Sequence, residues 1–155
     1  MTPSSPTWFR EDFAITGSSI GFRVTGNLDE VQSEFQNIEI WATTDWSNLM
    51  VIDGAMMVTT RDNFFYHEMM AHAPLFTHPD PKNVVIIGGG DCGTLREVLK
   101  HPGVQSAVQC DIDEQVTRMA EKYFQELCES NNDPHAPRRL AAQAAPIIWE
   151  WIQDQ

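Results

Sequence analysis

The stretch VVIIGGGDCGTLREVL, Val84 to Leu99, constrains the fold more than any other part of the chain. Its first residues form a short continuous apolar run, as expected for a strand buried on both faces of a parallel sheet. The run leads directly into Gly88, Gly89, Gly90 and Gly93, of which Gly88, Gly90 and Gly93 fit G-x-G-x-x-G, and then into a helical segment, TLREVLKH. Glycines at those places permit a tight turn and let a ligand approach the backbone. After a break at HPG, VQSAVQCDI reads as a second strand. DEQVTRMAEKYFQELCES then reads as an amphipathic helix with Val116, Met119, Ala120, Tyr123, Phe124 and Leu127 on one face. Strand, turn, helix, strand, helix is a βαβα unit of a parallel sheet. Asp111 closes the second strand, 23 residues after Gly88, where an acid would hydrogen-bond ribose hydroxyls.

Asp91 sits inside the glycines. In a dinucleotide site the pyrophosphate rests on the helix N-terminus, and a carboxylate there would repel it. A nucleoside carrying a positive charge and no phosphate would be favoured, and S-adenosylmethionine and its relatives are such ligands. The alternative reading is that Asp91 only caps the following helix, although a cap need not sit among glycines. The formal net charge of −12 argues against a nucleic-acid backbone, which needs a basic face. It favours cationic small molecules by long-range attraction.

Residues 1–60 read as a small antiparallel β domain and residues 61–155 as the α/β part. IGFRVTG is a strand candidate with a turn signal at TGN. SEFQNIEIWAT is a second strand candidate, and Asp53-Gly54 between two apolar runs is a hairpin signal. RDNFFYHEMMAHAPLF places Phe64, Phe65, Met69, Ala73 and Phe76 at helical spacings, with Asp62 or Thr60 as candidate cap. THPDPK is a loop. Near the C-terminus NNDPHAPRRLAAQAAP reads as a polar stretch and IIWEWIQDQ as a last short helix. Two parallel strands are too few for a stable doubly wound sheet, so the open edge needs a partner or the domain is incomplete.

Cys92, Cys110 and Cys128 are odd in number and lack C-x-x-C spacing, which points to free thiols in a reducing cytoplasm. No run approaches the roughly 18 apolar residues of a membrane span, and MTPSSPTWFREDF has no apolar core behind a basic start, so no signal peptide is expected. His67 and His72 bracket Glu68, but their spacing of five is not that of a zinc-binding H-E-x-x-H, so no metal is expected. His78 and His101 precede prolines and read as turn residues. Trp8, Trp41 and Trp46 read as packing, and Met50, Met56 and Met57 as core filling.

VVIIGGGDCGTLREVLKHPGV resembles the polyamine aminopropyltransferases, above all the spermidine synthases. So do NLMVIDGAMMVTTRDNFFYHEMMAHAPLFTHPDPK and SEFQNIEI before it and CDIDEQVTRMAEKYF after it. The resemblance implies an α/β protein: a small N-terminal antiparallel β domain, then an incomplete Rossmann-like domain of the AdoMet-dependent transferase type. It implies transfer of an aminopropyl group from decarboxylated S-adenosylmethionine, a co-substrate rather than a permanently bound cofactor, to putrescine. Spermidine and methylthioadenosine would be the products. A cytoplasmic homodimer, another homo-oligomer or a partner subunit is expected, with no nucleic acid and no membrane.

By the same resemblance Gln36 contacts the aminopropyl donor, Tyr66 and His67 line the polyamine and donor pocket, Asp91 holds the amine being transferred, and Asp111 takes the ribose hydroxyls. Several positions depart from the family pattern. Asp111 stands where glutamate is usual, Met57 where glutamine is usual, and Cys92 replaces a glycine of GGGDGG. No Asp-Gly strand end for the adenine amine follows, and no D-S-S-D-P, whose first aspartate is the general base, so no catalytic base is identified. Two other readings stay open. One is a non-catalytic interaction or regulatory subunit that pairs with a full-length relative. The other is a methyltransferase, which would leave the match through residues 1–80 unexplained.

Overall fold

The computed structural model describes residues 7–129 and 138–142. The chain divides into two compact units, Met1–Asn63 and Phe64–Gln155. Among the described residues no helix is long and apolar enough to cross a membrane.

The first unit is an antiparallel meander of β1 (Thr7–Phe13), β2 (Ser18–Gln32), β3 (Asn37–Thr43), β4 (Asn48–Ile52) and β5 (Ala55–Thr59), paired in that order. The Asp53-Gly54 hairpin forms as expected. Both residues take positive φ, 49° and 82°, as a type I′ turn demands. The turn expected at TGN does not form. β2 runs straight through it as one strand, with register shifts between Val24 and Gly26 and between Asn27 and Asp29. The cause is a change of partner: the first half of β2 pairs with β1 and the second half with β3. SEFQ belongs to the turn before β3, not to the strand, because the Ser33 hydroxyl accepts the Phe35 and Gln36 amides at 3.0 and 3.1 Å.

The core of this sheet is Val24, Ile38, Ile40, Leu49, Met50, Val51 and Val58. Met50 fills it as expected, but Met56 is half-buried and Met57 is exposed, because neighbours on a strand point to opposite faces. Of the tryptophans, Trp41 packs on Phe9 and Trp46 on Phe22, whereas Trp8 is largely exposed beside Arg10 and Arg23.

The second unit begins within α1 (Asn63–Thr77). It continues through β6 (Asn83–Ile87), α2 (Gly93–Val98), β7 (Ser106–Asp111), α3 (Glu114–Tyr123), a 3-10 turn at Gln125–Leu127, and β8 (Arg138–Ala142). The parallel sheet has the order β6-β7-β8. β8 is a correction, since RRLAA was expected within a polar stretch. The polar reading rested on the two arginines, which are in the strand, and on prolines that precede it. The expected helix at IIWEWIQDQ lies outside the described residues.

β7 is buried along Ala107, Val108, Gln109 and Cys110. β6 is not the doubly buried strand its composition suggested: Val84, Val85 and Ile86 are half-buried and Ile87 is 73% exposed. Among the described residues β6 pairs only with β7, so it lies at an edge.

α1 also differs from the expectation. Phe65, Met69 and Phe76 are 67%, 68% and 78% exposed. The buried ridge is His67, Ala71 and Leu75, of which Ala71 and Leu75 cluster with Leu95, Val98, Val104 and Ala107. These three are spaced i, i+4, i+8 and form one row of the helix surface. Small Ala71 at the centre lets the helix approach closely, whereas the bulkier stripe does not fit against this sheet. α3 buries Val116, Met119 and Ala120 as expected, capped by Asp113, whose side chain accepts the Gln115 amide. It ends at Tyr123, earlier than the apolar pattern alone implied. Phe124 leaves helical geometry, yet it and Leu127 are fully buried beyond the helix end.

Candidate functional site

The site is the turn from β6 into α2, at the C-terminal ends of β6 and β7. Gly88 and Gly89 have φ of 80° and 71°, where a side chain would be strained. Gly88 N–H donates to the Cys110 carbonyl at 2.7 Å, which pins the turn to β7. Gly90 is required by space: a Cβ there would lie 2.9 Å from Asp111 Oδ2 and 3.0 Å from Val116. Gly93 is required more strictly, because a Cβ would lie 2.3 Å from His67 Nε2. Cys92 has φ 68°, so the position where the resemblance implied glycine does take the left-handed region. A cysteine there bears a strain of about 1–2 kcal/mol.

Asp111 holds the turn from below. Its Oδ2 accepts the Gly90 amide at 2.8 Å and its Oδ1 the Asp113 amide at 2.9 Å. Each carboxylate oxygen retains a lone pair for a further donor. Thr117 closes the arrangement by donating to the Gly90 carbonyl at 2.8 Å. Nothing in the strand-turn-helix pattern singled out Thr117. Its signal was positional, a hydroxyl one turn into the helix that follows the acid.

Asp91 makes the capping bond that one of its readings proposed. Its Oδ1 accepts the Gly93 amide at 3.0 Å, a local capping bond at the start of α2. Its Oδ2 makes no such bond and lies 3.6 Å from His67 Nε2, too far for a hydrogen bond.

His67 is 1% exposed and its Nε2 has no hydrogen-bond partner among the described residues. Its Nδ1 lies 3.4 Å from the Thr94 hydroxyl. Burial lowers its pKa from the usual 6.5, with Asp91 pulling the other way, Arg96 adding to the lowering and Glu97 opposing it. The imidazole is therefore neutral at pH 7. Tyr66 is 61% exposed with its ring edge-on to His67. His67, Asp91, Asp111 and the glycines thus come together in the second unit. Gln36 is half-buried in the turn before β3 of the first unit.

A second polar cluster was not foreseen. Glu97 is fully buried, with Arg96 Nε 2.8 Å from Oε1, and Lys100 Nζ 2.5 Å and His72 Nε2 3.3 Å from Oε2. His72 Nδ1 in turn meets His101 Nε2 at 2.8 Å. His101 is therefore more than the turn residue expected of it, since the fold joins helix α1 to the loop after α2 through it. Burial and the neighbouring His72 both lower the His101 pKa from 6.5. For Glu97, burial acts to raise the pKa from 4.5, but the bonds from Lys100 and Arg96 outweigh it and the net shift is downward.

These shifts share one sign in their effect on stability. Where a folded-state pKa is depressed, the unfolded chain binds more protons, so stability rises with pH. The contribution of His67 and His101 is fully present above 6.5 and is lost as pH falls through that value, and Glu97 follows below 4.5. The urea midpoint is expected to hold above pH 7 and to fall on acidification to pH 5.5. A midpoint that is flat or rises over that interval would contradict the burial of neutral imidazoles.

The geometry has recognisable relatives. A family model described as Spermine/spermidine synthase domain matches residues 63–140, and one described as Spermidine synthase tetramerisation domain matches residues 7–60. The polyamine aminopropyltransferase of Xanthomonas axonopodis pv. citri (strain 306) is 72% identical over 133 residues, 86% of this chain and 47% of that protein. The polyamine aminopropyltransferase of Xylella fastidiosa (strain M23) shows the same identity and coverage. A spermidine synthase in complex with the transition-state analogue AdoDATO superposes with a TM-score of 0.81 at 38% identity, covering 89% of this chain and 47% of that one. The spermidine synthase from Thermotoga maritima matches with the same score and identity, over 89% and 49%. The chain spans about half the length of the curated relatives it matches.

Proposed function

The chain belongs to the spermine/spermidine synthase family, and from that membership we propose that its Gly88–Gly93 turn binds decarboxylated S-adenosylmethionine as co-substrate for aminopropyl transfer to putrescine. In that reaction the putrescine nitrogen bonds to the propyl carbon beside the sulfonium. The carbon–sulfur bond breaks, and sulfur keeps the electron pair as the thioether of methylthioadenosine. The new ammonium, on what becomes spermidine, gives its proton to a base. The observation that carries the reading is Asp91. Its charge sits inside the glycine turn, one oxygen is fixed by the Gly93 amide and the other has no hydrogen bond among the described residues. A phosphate would be repelled from that place and a cationic amine attracted to it.

The spare lone pairs of Asp111 suit the ribose hydroxyls; His67 lies 3.6 Å from Asp91 and Tyr66 is edge-on to His67, which supports assigning both to the amine pocket. Gln36, in the first unit, is assigned to the donor by family resemblance alone. The tetramerisation-domain match over residues 7–60 supports self-association through the first unit, as does the exposure of Trp8, Phe13, Ile20 and Phe35.

The test is calorimetric titration of two ligands into three proteins. Asparagine keeps an acceptor for the Gly93 amide, so Asp91→Asn removes the charge and leaves the turn intact. A charge-assisted hydrogen bond contributes roughly 1.5–3 kcal/mol, so binding of the decarboxylated donor should weaken about tenfold or more. Methylthioadenosine has neither the sulfonium nor the aminopropyl group, and its affinity should hardly change. Asp111→Ala should weaken both ligands, because it frees the Gly90 amide as well as losing the ribose acceptor. Equal losses for both ligands on Asp91→Asn would remove the charge argument.

A further inference from the structure

Cys92 occupies a left-handed position, φ 68°, that a side chain disfavours. Its side chain is nevertheless buried and held on several sides. The Cys92 thiol donates to the Gly90 carbonyl at 3.5 Å, and the Gln109 side-chain amide donates to the Cys92 sulfur at 3.6 Å. Gln109 is itself 2% exposed, and its Oε1 has no partner among the described residues. The segment after α3 brings a second thiol to the same place. Cys128 Sγ lies 3.8 Å from the Asp91 carbonyl oxygen and shares a hydrogen bond with Cys92. The two sulfurs thus touch the carbonyls of both peptide units that flank Asp91. Both are thiols in the structure, as is Cys110, which is buried on β7. Sulfurs already in hydrogen-bond contact need only a small approach to reach the roughly 2.05 Å of a disulfide.

We propose that Cys92 and Cys128 are an oxidation site, closed by a peroxide into a reversible disulfide that re-sets the glycine turn. The Cys128 proton is held tightly, because the hydrogen bond with Cys92 and then burial push its pKa well above that of an ordinary thiol. Cys92 receives that bond and the Gln109 amide, so it is the sulfur that reacts first. Its thiolate attacks one peroxide oxygen, the O–O bond breaks and hydroxide leaves, giving a sulfenic acid on Cys92. The Cys128 sulfur then bonds to the Cys92 sulfur, the S–O bond breaks, and the oxygen departs as water with the Cys128 proton. Two thiols and one hydrogen peroxide become one disulfide and two waters. Cys92 is 1% and Cys128 5% exposed, which favours an oxidant close to water in size over a bulky disulfide.

Oxidation removes both thiol protons, so the carbonyls of Gly90 and Asp91 lose their S–H donors and the peptide units around Asp91 are re-aimed by the bridge. The disulfide itself stands on the placement of the thiols. Its effect on a ligand rests on the adenosyl ligand proposed above for this turn.

The test treats the folded 155-residue protein, freed of reductant, with hydrogen peroxide. Thiol titration should fall from three to one, peptide mapping should find Cys92 linked to Cys128, and dithiothreitol should restore all three thiols. Cys92→Gly, which removes the thiol and the backbone strain together, should form no link. Cys128→Ala should stop at the sulfenic acid, which dimedone traps on Cys92. Methylthioadenosine should bind the oxidised protein about threefold or more weakly than the reduced one. The Cys92→Gly protein should show no such change with peroxide.

The proposal is overturned if all three thiols survive peroxide in the folded protein, or if the link formed involves Cys110 or joins two chains. It is also overturned if the Cys92–Cys128 bridge forms and methylthioadenosine binds both forms equally. A reduced protein that does not bind methylthioadenosine at all would remove the proposed ligand, and the mapped link would still decide the oxidation site.

Discussion

Alanine at Gly93 is expected to destabilise the protein by about 2–4 kcal/mol, the range of overpacking in a buried site. Backbone preference predicts the opposite. Gly93 opens α2 without a left-handed φ, and alanine is favoured over glycine in a helix by up to about 1 kcal/mol. Space decides the sign. The new methyl would lie 2.3, 2.4 and 2.5 Å from three atoms of the His67 ring. That ring is 1% exposed and sits against Thr94, so it cannot swing into solvent. Urea unfolding of Gly93→Ala, His67→Ala and the double variant gives the check. With His67 already shortened, Gly93→Ala should be neutral or slightly stabilising, a coupling of neighbours that single substitutions do not show. A Gly93→Ala protein as stable as the wild type would mean that the ring is not where the structure puts it. The same clash predicts that Asp91 is displaced, so the cationic donor should lose more affinity for this variant than methylthioadenosine does.

The second large effect is on turnover. Supplied with decarboxylated S-adenosylmethionine and putrescine, the 155 residues alone are expected to release methylthioadenosine at least about a hundredfold more slowly than a full-length relative. A positioned general base contributes typically 10²–10⁴-fold. The sequence holds no D-S-S-D-P and no Asp-Gly strand end for the adenine. The acids the fold does gather each hold a backbone amide, Asp91 that of Gly93, Asp111 those of Gly90 and Asp113, and Asp113 that of Gln115, and the remaining capacity of Asp91 and Asp111 is proposed for the donor. His67 is neutral but enclosed, with Gly93 packed against its ring. Rates comparable to the relative would sink this expectation and direct attention to His67 as a substitute base. Titration of methylthioadenosine into the same sample separates a folded but slow protein from an unfolded one.

What the sequence by itself determined is local. The turn after β6, the Asp53-Gly54 hairpin and the Asp113 cap are each set by hydrogen bonds and φ values within a few residues, and each formed where its residues stand. That Cys92 takes the left-handed region, where the resemblance implied a glycine, is a finding of the structure. Family resemblance carried Asp91, Asp111 and His67 to one site, and the fold brings them together.

Tertiary structure alone decided what depends on distant partners. Periodicity gave α1 an apolar stripe through Phe65, Met69 and Phe76. The buried row became His67, Ala71 and Leu75, because His67 fits only over a residue without a Cβ, 26 positions away at Gly93. The turn expected at TGN vanished because β2 is held by two different neighbours. The link from His101 through His72 to Glu97 has no sequence signal, since its members come from two helices and a loop. Burial of a charged or titratable group is affordable only where a partner waits, and a partner that far along the chain is supplied by packing, not by pattern.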